Sequence, residues 1–213
     1  MDNPDIKYKS VILKDLTFIN EVGVRETLNS VGVNGKGLVS ISSEVWTGFD
    51  YFTGTDLVIT SISEGINDLL HKVKEISCVS NFGIPVFLLA DIVNPKLYGL
   101  LASLGINGVM SLKENNNVFV DIFYACLMKE RKYGPYVMRK IDDEFPALFS
   151  PAETDLVFDI LEGKRITDIA RERGRNIKTI STQKSSIMKR LNIKNNSELS
   201  ALGGLLSDFS SDC

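Results

Sequence analysis

The stretch "RNIKTISTQKSSIMKRLNI", Arg175 to Ile193, decides how the chain is read. Ile177, Ile180, Ile187 and Leu191 recur at helical spacing and make one apolar stripe. The rest of the wheel holds Lys178, Thr179, Ser181, Thr182, Gln183, Lys184, Ser185 and Ser186, and no carboxylate occurs between 175 and 193. A solvated helix ordinarily mixes signs, because Glu–Lys pairs four apart support it. A helix of one sign with short hydroxyls suits a polyanion. Lysines neutralise phosphates, carboxylates would repel them, and Ser or Thr permits close approach to base edges. A plain basic surface helix, or one that docks on an acidic protein, shares this composition.

Upstream lie the parts that turn such a helix into a module. "SPAETDLVFDILEG" (150–163) carries a capping box, with Ser150 as N-cap, Pro151 at the first helical position and Glu153 three after the cap. Gly163 closes this helix. Thr167 is expected to cap a short helix, "DIARERG", that stops at Gly174, and Asn176 to cap the opening stretch. Helix, short helix, tight turn and basic helix make a helix-turn-helix, whose second helix enters the major groove.

These residues carry a resemblance. "FSPAETDLVFDILEGKRITDIARERGRNIKTISTQKSSIMKRLNIKNNSEL" resembles the LuxR-type helix-turn-helix of the NarL/FixJ response regulators, and within them the Rcs-type capsule regulators. The matching elements are the Ser-Pro-x-Glu start, Glu162-Gly163, "ITDIA", "KTIS" and "KRLNI". The resemblance implies base contacts from Ser181, Thr182 and Ser185, and phosphate contacts from Lys178, Thr179, Lys184 and Lys189. The lysine or arginine common in the family near 181 and 185 is serine here, which leaves the base preference open.

Charge distribution agrees. From 164 to 194 the chain has ten Lys/Arg against Asp168 and Glu172, a net of +8, within a chain of net charge −3. Such asymmetry points to a local polyanion partner, expected to be double-stranded DNA. Hydrophobic content of 44% and charged content of 24% over 213 residues are those of a folded protein of one large or two small domains. Cys78, Cys126 and Cys213 are odd in number and far apart, without metal-ligand spacing. The N-terminus has no signal pattern, and no apolar run approaches membrane-spanning length. A cytoplasmic, nucleoid-associated protein without membrane contact is expected.

The first 130 residues alternate β-rich runs (8–15, 37–42, 56–63, 85–91, 108–112) with helical patterns (20–32, 66–77, 95–105, 117–134). Gly32 should end the first helix, and Pro95 and Gly105 should bound the third. This alternation implies a parallel sheet with helices on both faces. Between 132 and 148 the pattern breaks at two prolines, Gly134 and the acidic knot Asp142–Glu144, as in a linker with a short helix of its own. The expected fold class is α/β plus all-α: a flavodoxin-like (βα)5 receiver-type domain over 1–131, a linker over 132–148, and a LuxR-type four-helix domain over 149–213.

A receiver, which the resemblance implies, needs an acidic pair, a phosphoacceptor Asp, a Ser or Thr, and a Lys at successive strand ends. Here Asp15 stands alone, Ser61 occupies the phosphoacceptor position, Ala90 the switch hydroxyl, and Lys113 follows its strand one residue late. A serine lacks the anionic nucleophile, so aspartyl phosphorylation is not expected. Glu64 is a candidate built-in anion near Lys113. His71 reads as a helix residue without a paired nucleophile. No catalytic, metal or cofactor site is expected, and the chain is not expected to be an enzyme.

Dimerisation is expected, because one small domain reads only a half-site. The candidate surface for a homodimer, or for pairing with a Rcs-type regulator, is the apolar-rich helix at 117–129, with Phe119, Phe123 and Tyr124 near its centre. The rival reading is an interaction protein that heterodimerises with another regulator and touches DNA little.

Overall fold

The computed structural model describes residues 9–31, 39–43, 54–64, 68–142 and 144–207. Tyr8, Gly32, the start of the 37–42 run, residues 66–67, Asp143 and Cys213 lie outside the described residues. Six strands form one sheet: β1 (Lys9–Lys14), β2 (Val39–Ser43), β3 (Leu57–Ser63), β4 (Val86–Asp91), β5 (Gly108–Ser111) and β6 (Lys132–Tyr133). Their order is β2-β1-β3-β4-β5-β6. The pairs β1–β2, β1–β3, β4–β5 and β5–β6 are parallel, with registers such as Val11↔Leu57 and Ala90↔Ser111. The first five strands follow the flavodoxin-like order 2-1-3-4-5. The α/β reading of the N-terminal alternation therefore holds, and β6 was not expected.

Nine helices are described: α1 (Phe18–Val31), α2 (Leu69–Asn81), α3 (Pro95–Ser103), α4 (Asn116–Leu127), α5 (Pro135–Lys140), α6 (Pro151–Leu161), α7 (Ile166–Glu172), α8 (Ile177–Arg190) and α9 (Asn196–Ser207). By contact the chain falls into two units. One is Met1–Ile62, Val79–Asp91 and Ile106–Val137, and the other Ser63–Cys78, Ile92–Gly105 and Met138–Cys213.

The first unit holds the sheet and its core. Val11, Leu13, Leu57, Ile59, Phe87, Leu89 and Met110 from the strands pack with Val24 and Leu28 of α1 and with Phe119, Ile122, Phe123 and Cys126 of α4. This corrects one expectation. Phe119 and Phe123, expected at a partner surface, are 5% and 3% exposed. The Phe119 ring lies 4.9 Å from that of Phe87 and stacks at 6.3 Å on Phe123. Tyr124 is half-buried at the cluster's edge. The apolar content of α4 is spent on the sheet beneath it.

The helix expected over 117–134 stops at Leu127. Lys129 takes a left-handed φ of 60°, and the chain returns to the sheet as β6. Glu114 fixes that return: its Oε2 accepts from the Ser111 N–H at 2.8 Å and its Oε1 from the Tyr136 N–H at 2.7 Å. A Cβ at Gly134 would overlap the Glu114 carboxylate, so a side chain there would push that carboxylate off its two N–H donors.

In the second unit, α2 and α3 meet the C-terminal helices through several polar ties. Lys74 pairs with Glu162, Lys96 Nζ lies 3.6 Å from Glu198, and the Phe149 N–H donates to the Ser103 carbonyl at 2.8 Å. The capping box of α6 is present: Glu153 Oε2 accepts from the Ser150 N–H at 2.8 Å, and Ser150 Oγ accepts from the Glu153 N–H. Asn94 caps α3 and Asn176 caps α8. The Thr167 expectation fails, because Arg165 is the residue before α7 and no side chain caps it. Gly163 and Gly174 adopt φ of 82° and 58° just past α6 and α7, the left-handed turn that glycine adopts freely.

Candidate nucleic-acid interface

The C-terminal helices set α8 on a buried seam. Ile180, Ile187 and Leu191 are 1–3% exposed, as are Leu156, Val157, Leu161, Ile169, Ala170, Leu202 and Leu206 at 0–3%. Two charged groups brace this arrangement. Arg190, at the end of α8, donates to Glu153 Oε1 at 3.0 Å and to the Leu148 carbonyl at 3.0 Å, and stacks 5.0 Å over Phe149. Asp159 on α6 receives Arg173 at 2.5 Å and Lys164 at 2.6 Å. The Ser150 N–H, with Arg190, holds Glu153 below the usual carboxylate range against the effect of burial. Burial pushes Asp159 up, but the hydrogen bonds and charges of Lys164 and Arg173 outweigh it and hold the group low.

The outer face of α8 is different. Lys178, Thr179, Ser181, Thr182, Ser185 and Lys189 are exposed and Lys184 is half-buried. All seven predicted contact residues thus share one helix, with six on its open side. Among the described residues, Lys178, Lys184 and Lys189 make no ion pair, nor do Arg165, Arg175 and Lys194 around them. The Thr182 and Ser185 hydroxyls donate to the Lys178 and Ser181 carbonyls at 2.9 and 3.0 Å. Their oxygens are left as acceptors, while the Ser181 hydroxyl has no partner among the described residues. Ile177, read from sequence as part of the apolar stripe, is 51% exposed, so the stripe begins at Ile180.

At the strand ends of the first unit the four pocket positions behave otherwise. Ser61 Oγ donates to the Asp15 carbonyl at 2.8 Å, so these two positions meet. Asp15 itself is exposed, with a left-handed φ of 50°. Ala90 is fully buried in β4. Lys113 puts its ammonium 5.3 Å over the Tyr136 ring, and its N–H faces Ser111 Oγ at 3.3 Å. Glu64, the candidate anion near Lys113, is spent elsewhere: its Oε1 accepts from the Val93 and Asn94 N–H groups at 2.8 and 2.5 Å. A magnesium ion of the receiver type needs several oxygen donors, carboxylates among them. Asp15 and Ser61 do not supply such a set, and no cluster of three or more His, Cys, Asp or Glu among the described residues could hold a metal. His71 is an exposed residue of α2. No described helix is long and apolar enough to cross a membrane.

No protein-family model matches the chain. It is 31% identical over 108 residues to the transcriptional regulatory protein RcsB of Escherichia coli K12, and equally to that of Salmonella typhimurium LT2; the match covers 48% of this chain and 50% of each relative. The chain thus spans about half the length of these relatives in the match. It is also 41% identical over 54 residues, 25% of this chain and 15% of the relative, to an uncharacterized HTH-type transcriptional regulator, YuaB, of Escherichia coli K12. Among solved structures, two RcsB dimers bound to two parallel DNAs give a TM-score of 0.53 at 23% identity, over 95% of this chain and 100% of that one. RcsB from Salmonella enterica serovar Typhimurium bound to promoter P1flhDC gives 0.53 at 23% identity, over 94% and 100%. At these identities the structural likeness shows the fold. In sequence over 48% of its length, and in fold along nearly all of it, the chain resembles the response regulator RcsB.

Proposed function

We propose that the chain is a DNA-binding transcriptional regulator that engages double-stranded DNA through α8. One observation carries this reading: the open face of α8 presents short hydroxyls, lysines without an ion pair among the described residues, and no carboxylate. A duplex offers a dense row of phosphates to such a face, and release of their counterions drives association. Lys178, Thr179, Lys184 and Lys189 take the backbone-positioning roles, and Ser181, Thr182 and Ser185 face the base edges. Residues 1–131, with β6 (Lys132–Tyr133) added to their sheet, form a receiver-type domain, the stretch from there to 148 a linker, and 149–213 the LuxR-type four-helix domain. The receiver is not phosphorylated on aspartate, because Ser61 stands where the acceptor carboxylate is needed. The protein works in the cytoplasm on two half-sites, as a homodimer or with a Rcs-type partner. It performs no catalysis.

The test is fluorescence anisotropy of the full-length protein with labelled random duplex DNA between low and physiological salt. Log affinity should fall linearly with log salt, with a slope of about −0.9 for each phosphate neutralised. Absence of binding at low salt, or binding indifferent to salt, would overturn the reading in favour of a protein-only interaction module.

A further inference from the structure

Ile177 is the first residue of α8 and stands 51% exposed, while the other apolar members of the same helix face are closed off at 1–3%. A singly exposed isoleucine is ordinary on a protein surface. Its neighbours on the helix make this one different. Residues four apart form a continuous ridge, and the ridge that Ile177 heads continues through Ser181, Ser185 and Lys189, all exposed. The beginning of the second helix of a helix-turn-helix is the part that reaches base edges. Ile177 is therefore an apolar side chain at the head of a polar, carboxylate-free ridge.

The major groove has one apolar feature to offer such a side chain, the 5-methyl group of thymine. Ser181 and Ser185, further along the ridge, present hydroxyls rather than an apolar surface, and the hydroxyl of Ser185 already donates to the Ser181 carbonyl. We propose that Ile177 is a specificity-determining residue that packs on a thymine methyl and makes each half-site prefer T·A at one position. The inference rests on the DNA-binding reading above and adds to it a chemical class of base contact. It also assigns a task to the end of the helix where the family's longer basic side chains near 181 and 185 are absent.

The experiment separates this inference from the reading beneath it. Duplexes bound by the full-length protein are selected from a random pool. Each thymine of a selected site is then replaced in turn by deoxyuridine, which keeps the base pair and removes only the methyl. At one position in each half-site the replacement should weaken wild-type binding about fourfold, the factor expected for one buried methyl. Ile177→Ala should bind the thymine site about fourfold more weakly, ignore the deoxyuridine replacement there, and keep the wild-type salt slope because no charge is lost. Ile177→Val should retain the methyl preference. Circular dichroism melts should coincide, since the side chain is not in the core. If Ile177→Ala still loses the same factor on methyl removal, or if no thymine methyl matters to the wild type, the inference is overturned while DNA binding stands. If the wild type selects no duplex, both fall together.

Discussion

Ser61 and Ser181 carry the same hydroxyl in opposite circumstances. Ser61 donates to the Asp15 carbonyl, and around the strand ends of its unit Lys113 lies on Tyr136 and Glu114 bridges Ser111 and Tyr136. The polar groups of Ser61 and Glu114 are satisfied by the protein itself. Ser181 has no such partner among the described residues, and Lys178 and Lys189 on the same face make no ion pair. Exposed cations left unpaired gain little stability for the fold, since even paired surface charges contribute about 0–1 kcal/mol. Their value lies in a charge supplied from outside. On the proposed reading, the first unit serves as a scaffold and the open side of α8 as a contact surface.

The largest expected effect breaks the contact surface alone. Lys178→Glu with Lys189→Glu should weaken duplex binding on the order of a hundredfold near physiological salt and flatten the salt slope by about two, one for each lysine. Thermal stability should hardly move, because neither side chain packs in the core. Retained affinity in a folded double variant would dissolve the distinction between the two regions.

A reverse lesion belongs in the scaffold. A Cβ at Gly108 would lie 2.5 Å from Cys126 Sγ, 2.6 Å from Ile122 Cγ2 and 3.1 Å from Phe87 Cδ2. These atoms belong to the core and cannot swing into solvent. Gly108→Ala should cost about 1–3 kcal/mol in urea unfolding, as overpacking does, while the folded fraction binds DNA with unchanged affinity. A melt equal to the wild type would show the core to be looser than its packing indicates.

Between these lies the bracing of α8 by Glu153 and Arg190. Glu153→Gln removes a charge-assisted bond and weakens the capping box, at about 1–2 kcal/mol near neutral pH. Its pH dependence has a definite sign. The folded protein holds the Glu153 carboxyl below its ordinary value, so the stabilisation is fully present above about pH 4.3, where the unfolded carboxyl is ionised. It disappears as pH falls through the lower, folded value. Wild type and variant should therefore differ at pH 7 and converge in acid. A gap that widens in acid would mean that the Arg190 contact does not govern this carboxyl.

How much of this was legible in the residues follows the same physics. The capping box and the Asn176 cap are local, so Ser150, Glu153 and Asn176 announce them. The strand runs were visible because buried parallel strands are continuously apolar. The end of α4 was not, since it depends on Lys129 entering the left-handed region, which no composition signals. Periodicity likewise places Phe119 and Ile177 on helix faces without saying what lies opposite. For Phe119 the neighbour is Phe87, and the side chain is core. For Ile177 about half of the residue stays open to solvent, and a residue assigned to the stripe became part of the outer face.

The smallest expected effect is none, and it tests the other half of the contrast. Beryllofluoride with Mg²⁺, or acetyl phosphate, should change neither the mass, the oligomeric state nor the DNA affinity of the protein. Beryllofluoride mimics a phosphoryl group only when a carboxylate oxygen completes its tetrahedron, and Ser61 presents a hydroxyl that already donates to the Asp15 carbonyl. Ala90, buried in β4, has no oxygen to follow such a group. A ligand shifts a conformational equilibrium only through different affinity for its two states, and here it finds neither an anchor nor a follower. Ser61→Asp restores the carboxylate but leaves Ala90, and so should give at most weak labelling without a change in affinity. Ser61→Asp with Ala90→Thr supplies both, and is the variant in which a response could first appear. Intact-mass analysis of the untreated and treated wild type decides the matter: an added phosphoryl group on an aspartate would show that the strand-end groups are less fully engaged than Ser61, Lys113 and Glu114 indicate, and the contrast with α8 would shrink to one of charge alone.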